Sequence, residues 1–134
     1  MEVTTQYNGY PSLVRRIQSS VIDFLLITIL MVAITQLADQ FDNFPSELRA
    51  IFFVLILLYE PLCVTLGCTL GNYLMRIRVR RYDDENKRIN LFQSIIRYAV
   101  KIMLGWLSFI TIHTNTQKRA IHDMFIGSVM VELP

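Results

Sequence analysis

Three polar side chains early in the sequence have the types and the spacing of a buried charge relay. Arg16, Ser20 and Asp23 follow one another at intervals of four and three residues, which places them on one face of a helix. A hydrophobic run follows directly, so the group lies at membrane depth. There it could relay protons or bind an ion, or it could form an interhelical ion pair that fixes packing. Both interpretations stay open from the residues alone.

A second carboxylate, Glu60, immediately precedes Pro61 inside another hydrophobic run. A carboxylate beside a proline-broken helix is typical of ion sites in transporters. A pair between Glu60 and Arg97 would explain it equally well.

His122 and Asp123 are the third candidate group, because histidine is the side chain that changes charge near neutral pH. No serine or cysteine is placed as a nucleophile beside them, and one His with one Asp gives too few ligands for a metal. We therefore expect no catalytic, cofactor or metal site and no enzyme activity. For Asp123 we expect a helix cap or a partner for Arg16.

Two hydrophobic runs that could carry these groups are long enough to cross a bilayer. Residues 17–37 contain one formal charge and no Pro or Gly, and at about 1.5 Å per residue they span a hydrocarbon core of roughly 30 Å. Residues 48–66 form the second run, with a kink expected at Pro61. Ser12 and Ser46 are the expected N-caps of the two helices.

The third hydrophobic segment, residues 91–112, has Arg97 and Lys101 one turn apart on one face. Its first half therefore resembles an interfacial amphipathic helix, and the charge-free remainder is short for a crossing unless the two bases snorkel. We expect a re-entrant or interfacial segment that returns to its starting side, with a full span as the alternative.

The composition agrees with one membrane domain over residues 1–134. Hydrophobic residues make up 53% and charged residues 18% of the chain, with a mean hydropathy of +0.40. The first run is too long for the apolar part of a signal peptide. The net charge of +2 is too small to indicate nucleic acid. Cys63 and Cys68 are expected to be small buried thiols.

The distribution of charge predicts the orientation. Residues 38–47 carry three acids and no base, whereas residues 72–94 carry six bases and three acids. By the positive-inside rule, residues 72–94 and the amino terminus lie in the cytoplasm. Alternating basic and apolar residues predict a strand over 76–82, and residues 128–133 could pair with it. The basic run makes anionic lipid head groups candidate partners.

The motifs together resemble the RDD family of small bacterial membrane proteins from about Leu13 to Val131. The matching elements are Arg16 with Asp23, Thr69-Leu70-Gly71, the strand Ile77–Val79, Arg97-Tyr98, His122-Asp123, Gly127, and Val129–Val131. The resemblance implies a multi-pass protein of the bacterial cytoplasmic membrane. Cation/proton exchange has been suggested for some members.

We therefore predict an all-α membrane protein with two transmembrane helices, a third hydrophobic segment and a small cytoplasmic two-stranded β element. Its expected role is that of a non-enzymatic accessory or assembly subunit, with other membrane subunits or further copies of itself as partners. A small oligomeric cation/proton exchanger is the alternative. We expect Arg16 to lie between Asp23 and Asp123. The supporting polar residues are Ser20, Glu60, Thr69, Gly71, Arg97 and His122.

Overall fold

The computed structural model describes residues 7–134 and is mostly helical. The first helix, α1, runs from Leu13 to Asp39. Its predicted cap is confirmed, since the Ser12 hydroxyl accepts a hydrogen bond from the Arg15 amide at 3.4 Å. Arg16 and Asp23 on α1 are buried, while most large apolar side chains along it, such as Phe24 at 68%, are exposed. An exposed apolar surface on a 27-residue helix is typical of a lipid-facing span.

The second hydrophobic run is two helices, α2 (Ser46–Leu57) and α3 (Tyr59–Leu66), bent by 42°. The predicted kink is confirmed. It falls at Leu58, three residues before Pro61, because the proline has no N–H to give to the carbonyl of Leu57. The predicted cap of α2 is wrong: Pro45 occupies the N-cap position, and no side chain caps the helix.

A short helix, α4 (Leu70–Leu74), leads into strand β1 (Ile77–Arg81). Strand β2 (Ser128–Glu132) pairs with β1 in antiparallel register, from Ile77 opposite Glu132 to Arg81 opposite Ser128. Both strands match the prediction. The apolar face of this sheet packs into the cluster of fully or almost fully buried residues Val64, Ile77, Val79, Ile89 and Met130.

Between the strands lie α5 (Leu91–Leu104), a 3-10 helix (Gly105–Ile112) and α6 (Ile121–Ile126). The backbone turns at Gly105, which has a φ of +55°. This value is natural for glycine and ends the regular α-helix there. Two segments, Leu13–Asp39 and Leu91–Ile112, are long and apolar enough to cross a membrane, and the bent pair α2–α3 would make a third.

Both ends of the described chain meet beside the sheet. The amide of Asn8 donates to the carbonyl oxygen of Glu132 at 2.9 Å, and Arg15 forms an ion pair with the Glu132 carboxylate. The other end of the molecule holds the α1–α2 loop, where Arg49 pairs with Asp39 at 3.0 Å. Asp39 lies 23 residues beyond Arg16 on α1, about 35 Å away. The two polar ends are therefore separated by roughly the thickness of a hydrocarbon core.

Candidate functional site

A continuous chain of buried ion pairs joins α1, α3, α5 and α6. It starts at Arg16 Nη2, which bonds Asp123 Oδ2. The second oxygen of Asp123 accepts a hydrogen bond from Arg97 Nε at 3.0 Å. Arg97 Nη1 then lies 3.3 Å from Glu60 Oε1. These four residues are at most 5% exposed.

Lys101 completes the network, with its Nζ 2.7 Å and 3.0 Å from the two oxygens of Glu60. The Glu60–Arg97 pair considered from the sequence is therefore present, and Lys101 is an additional partner. Arg97 and Lys101 both point towards Glu60.

Asp123 is the centre of this network because α6 aims it inwards while capping its own helix. Its Oδ2 also accepts from the amide of Ala120 at 3.3 Å, so both expected roles of Asp123 are observed. Burial by itself raises the pKa of Asp123, but the guanidinium groups of Arg16 and Arg97 outweigh burial and hold that pKa well below its usual range. The carboxylate is therefore ionised and paired.

Arg16 forms its ion pair with Asp123 and not with Asp23. The prediction that Arg16 lies between the two aspartates is therefore wrong for Asp23. Its carboxylate accepts hydrogen bonds from three neutral donors on the facing segment. These are the Thr69 hydroxyl at 2.6 Å, the Gly71 amide at 2.9 Å and the Tyr59 hydroxyl at 3.3 Å. Asp23 thus ties α1 to the start of α4, where free amides favour an anion.

Gly71 is at this position because α4 lies directly against α1. A Cβ there would overlap the carbonyl oxygen of Ser19 and lie 2.9 Å from Asp23 Oδ2. The Thr-x-Gly element can therefore be explained physically: Thr69 caps α4 and binds Asp23, and Gly71 permits the close approach.

Of the two serines between Arg16 and Asp23, Ser19 makes the buried contact. Its hydroxyl donates to Asn72 Oδ1 at 2.7 Å, and both residues are at most 5% exposed. Ser20, which the sequence analysis selected, is half-buried. The helical period places both serines near the same face, so the spacing could not separate them.

His122 is not the neutral-pH group that its residue type suggested. It is fully buried, and burial lowers its pKa to about 2, against a smaller opposing effect of Asp123. The Ser108 hydroxyl donates to the Gly105 carbonyl oxygen at 2.9 Å. His122 Nδ1 lies within hydrogen-bond distance of the same hydroxyl, at 2.9 Å. His122 is a neutral packing residue that holds α6 against the 3-10 helix.

These groups enclose a cavity of about 10 Å³, roughly the space of one water molecule. Arg16, Asp23, Glu60, Arg97 and Lys101 contribute to its lining. Together with Asp123 they are three cations and three carboxylates, so their formal charges cancel. A cleft of about 230 Å³ opens next to it between α1 and α5, with mainly apolar walls. Cys63 and Cys68 are free thiols, half-buried rather than fully buried.

Apolar helices surround a buried polar centre whose formal charges cancel. This arrangement is that of a small membrane protein. A family model described as the RDD family matches residues 10–127, and the chain belongs to that family. No curated protein and no solved structure matched the chain.

Proposed function

We propose that this protein is a non-enzymatic, multi-pass subunit of the bacterial cytoplasmic membrane that assists or assembles with other membrane proteins. The observation that carries the proposal is the pairing of its buried carboxylates. Glu60 and Asp123 each contact two cations, and Asp23 is held by three hydrogen-bond donors. Groups satisfied in this way fix the packing of helices in lipid.

The sheet supports a re-entrant path for residues 91–112. Strand β1 precedes this segment and β2 follows it, yet the two strands pair along their whole length. A complete crossing would place them on opposite sides of the membrane. In addition, the Thr111 hydroxyl donates to the carbonyl of Arg119 at 2.9 Å, and Arg16 bonds the carbonyl of Lys118 at 2.6 Å. These contacts favour a segment that ends near Arg16, in the first turns of α1.

With α1 and the bent pair α2–α3 as the two crossings, both termini lie on one side. The basic residues around β1 favour the cytoplasm for that side. The exposed apolar side chains of α1 and α5, such as Phe24 at 68% and Met103 at 85%, then face lipid or a neighbouring subunit.

The proposal is tested by affinity purification of the tagged full-length chain in mild detergent. We expect stoichiometric co-purification of another membrane protein or a defined homo-oligomer, together with no cation or proton flux in reconstituted vesicles. A chain that purifies alone as a monomer would contradict the proposal. Exchange that disappears in a folded Asp23→Asn variant would establish a transporter instead.

A further inference from the structure

The basic residues of the 76–81 run divide into two groups with different surroundings. Arg81 pairs with Asp83 at 3.0 Å, and Arg80 donates to the Tyr7 hydroxyl at 3.3 Å. Among residues 7–134, no carboxylate contacts Arg76 or Arg78. The hydrogen bond made by the Arg78 side chain, at 3.1 Å, goes to the adjacent carbonyl of Ile77. Arg76 and Arg78 therefore have spare guanidinium donors at the surface, whereas the unpartnered Nη1 of Arg80 is buried.

These two arginines line one surface recess of about 390 Å³, which we call the Arg76–Arg78 recess. Arg78 lies on β1, and Arg76 immediately precedes the first residue of that strand. The remaining lining residues are Tyr73, Leu74, Leu133 and Pro134. The recess therefore combines two cationic groups with an apolar wall.

Its apolar wall faces outwards. Tyr73 is 63% and Leu74 is 53% exposed at the end of α4. The Tyr73 ring lies 5.9 Å from the Arg78 guanidinium carbon, within the range of a cation–π contact. Tyrosine at the end of a membrane-associated helix is typical of the head-group level of a bilayer. Such a surface fits a phosphate group attached to an acyl chain better than it fits a free phosphate ion.

The backbone of Arg76, beside the recess, has a sparsely populated conformation. Arg76 has a φ of +56°, which is uncommon for a residue with a side chain. Its amide donates to the Tyr73 carbonyl at 3.2 Å, and its own carbonyl accepts from the Leu133 amide at 2.8 Å. Strained residues persist where the surroundings fix them, and they concentrate at ligand sites.

We propose that the Arg76–Arg78 recess binds the phosphodiester head group of an anionic phospholipid, with the acyl chains lying along Tyr73 and Leu74. Guanidinium groups suit this ligand because their planar donors match phosphate oxygens in pairs. The inference requires a membrane protein but no partner subunit, so it is independent of whether the chain assembles with other proteins.

The test is the dissociation constant for phosphatidylglycerol, measured by native mass spectrometry on the full-length chain in a zwitterionic detergent. We expect Arg76→Gln with Arg78→Gln to weaken binding by about 10- to 30-fold, as expected from two bases near an anionic surface. The control is Arg81→Gln with Lys87→Gln, which removes the same charge from two residues already paired with Asp83 and Asp84. The control should bind like wild type.

Equal losses in the two double variants would overturn the proposal, because they would show diffuse attraction without a site. Competition by inorganic phosphate as strong as that by the lipid would also overturn it. A photoactivatable phosphatidylglycerol on the wild-type chain gives a readout that no folding defect can affect. Its cross-links should map to residues 73–78 and 133–134, and cross-links confined to other segments would contradict the site.

Discussion

The Asp123 carboxylate forms ion pairs with two arginines, Arg16 on α1 and Arg97 on α5. Substitution of Asp123 and substitution of Arg16 therefore affect stability through one shared contact. Truncating one member of a buried pair strands the other charge, which costs about 3–5 kcal/mol. We expect Arg16→Ala to destabilise the protein in detergent by that amount. Arg16→Ala combined with Asp123→Asn should recover part of the loss, as measured by thermal or denaturant unfolding.

The matched control for this cycle is Arg16→Ala combined with Asp23→Asn. It removes the same formal charges, but Asp23 is held by Thr69, Gly71 and Tyr59 and not by Arg16. The losses in free energy of unfolding caused by Arg16→Ala and by Asp23→Asn should therefore add. If this control recovers as much stability as the double variant with Asp123→Asn, Arg16 interacts with both aspartates.

The burial of His122 gives the stability a pH dependence of known sign. Its pKa is about 2 in the folded chain and 6.5 ordinarily, so below pH 6.5 the unfolded state binds one proton more. The contribution of His122 to the free energy of unfolding is fully present above pH 6.5. It falls as the pH decreases, by up to about 1.4 kcal/mol per pH unit. Unfolding of wild type and His122→Asn between pH 5 and 8 measures this, and parallel curves would refute it.

At the scale of the elements, α4 lies against α1 without room for a methyl group at Gly71. We expect Gly71→Ala to separate the two helices and to weaken the hydrogen bonds to Asp23, with a loss of roughly 1–3 kcal/mol. Gly67→Ala is the control, since a Cβ there meets nothing within 4 Å. Similar unfolding midpoints for the two variants would show that the helices can move apart freely.

The elements also show what a sequence can and cannot reveal. The alternation around Arg78 and the proline at position 61 act locally, so the strand and the kink were predictable. The neutral donors to Asp23 come from Tyr59 and Thr69, whose residue types carry no signal of such a contact. The sequence left open whether Arg97 pairs with Glu60 or snorkels with Lys101, because a sequence cannot show which side chains lie opposite Glu60. The family motifs identified Arg16 and Asp123, and the fold determined which aspartate Arg16 meets.

For the whole molecule, we expect the buried ion pairs to hold the third segment on the side of the membrane where it starts. The contacts of Asp123 with Arg97 and Arg16, and the pairing of β1 with β2, both favour a path in which residues 91–112 fold back. The molecule then has one polar end that holds both ends of the described chain and a second end formed by the α1–α2 loop. This arrangement can be tested by determining on which side of the membrane each of three positions lies.

The most direct measurement is labelling with a membrane-impermeant thiol reagent in a Cys63→Ser, Cys68→Ser background. Single substitutions Asn43→Cys, Asn86→Cys and Pro134→Cys report on the α1–α2 loop, the β1–α5 connection and the end of β2. We predict that positions 86 and 134 react from the cytoplasmic side and position 43 from the opposite side. Labelling of position 134 from the same side as position 43 would show that residues 91–112 cross the membrane, which would contradict the re-entrant path.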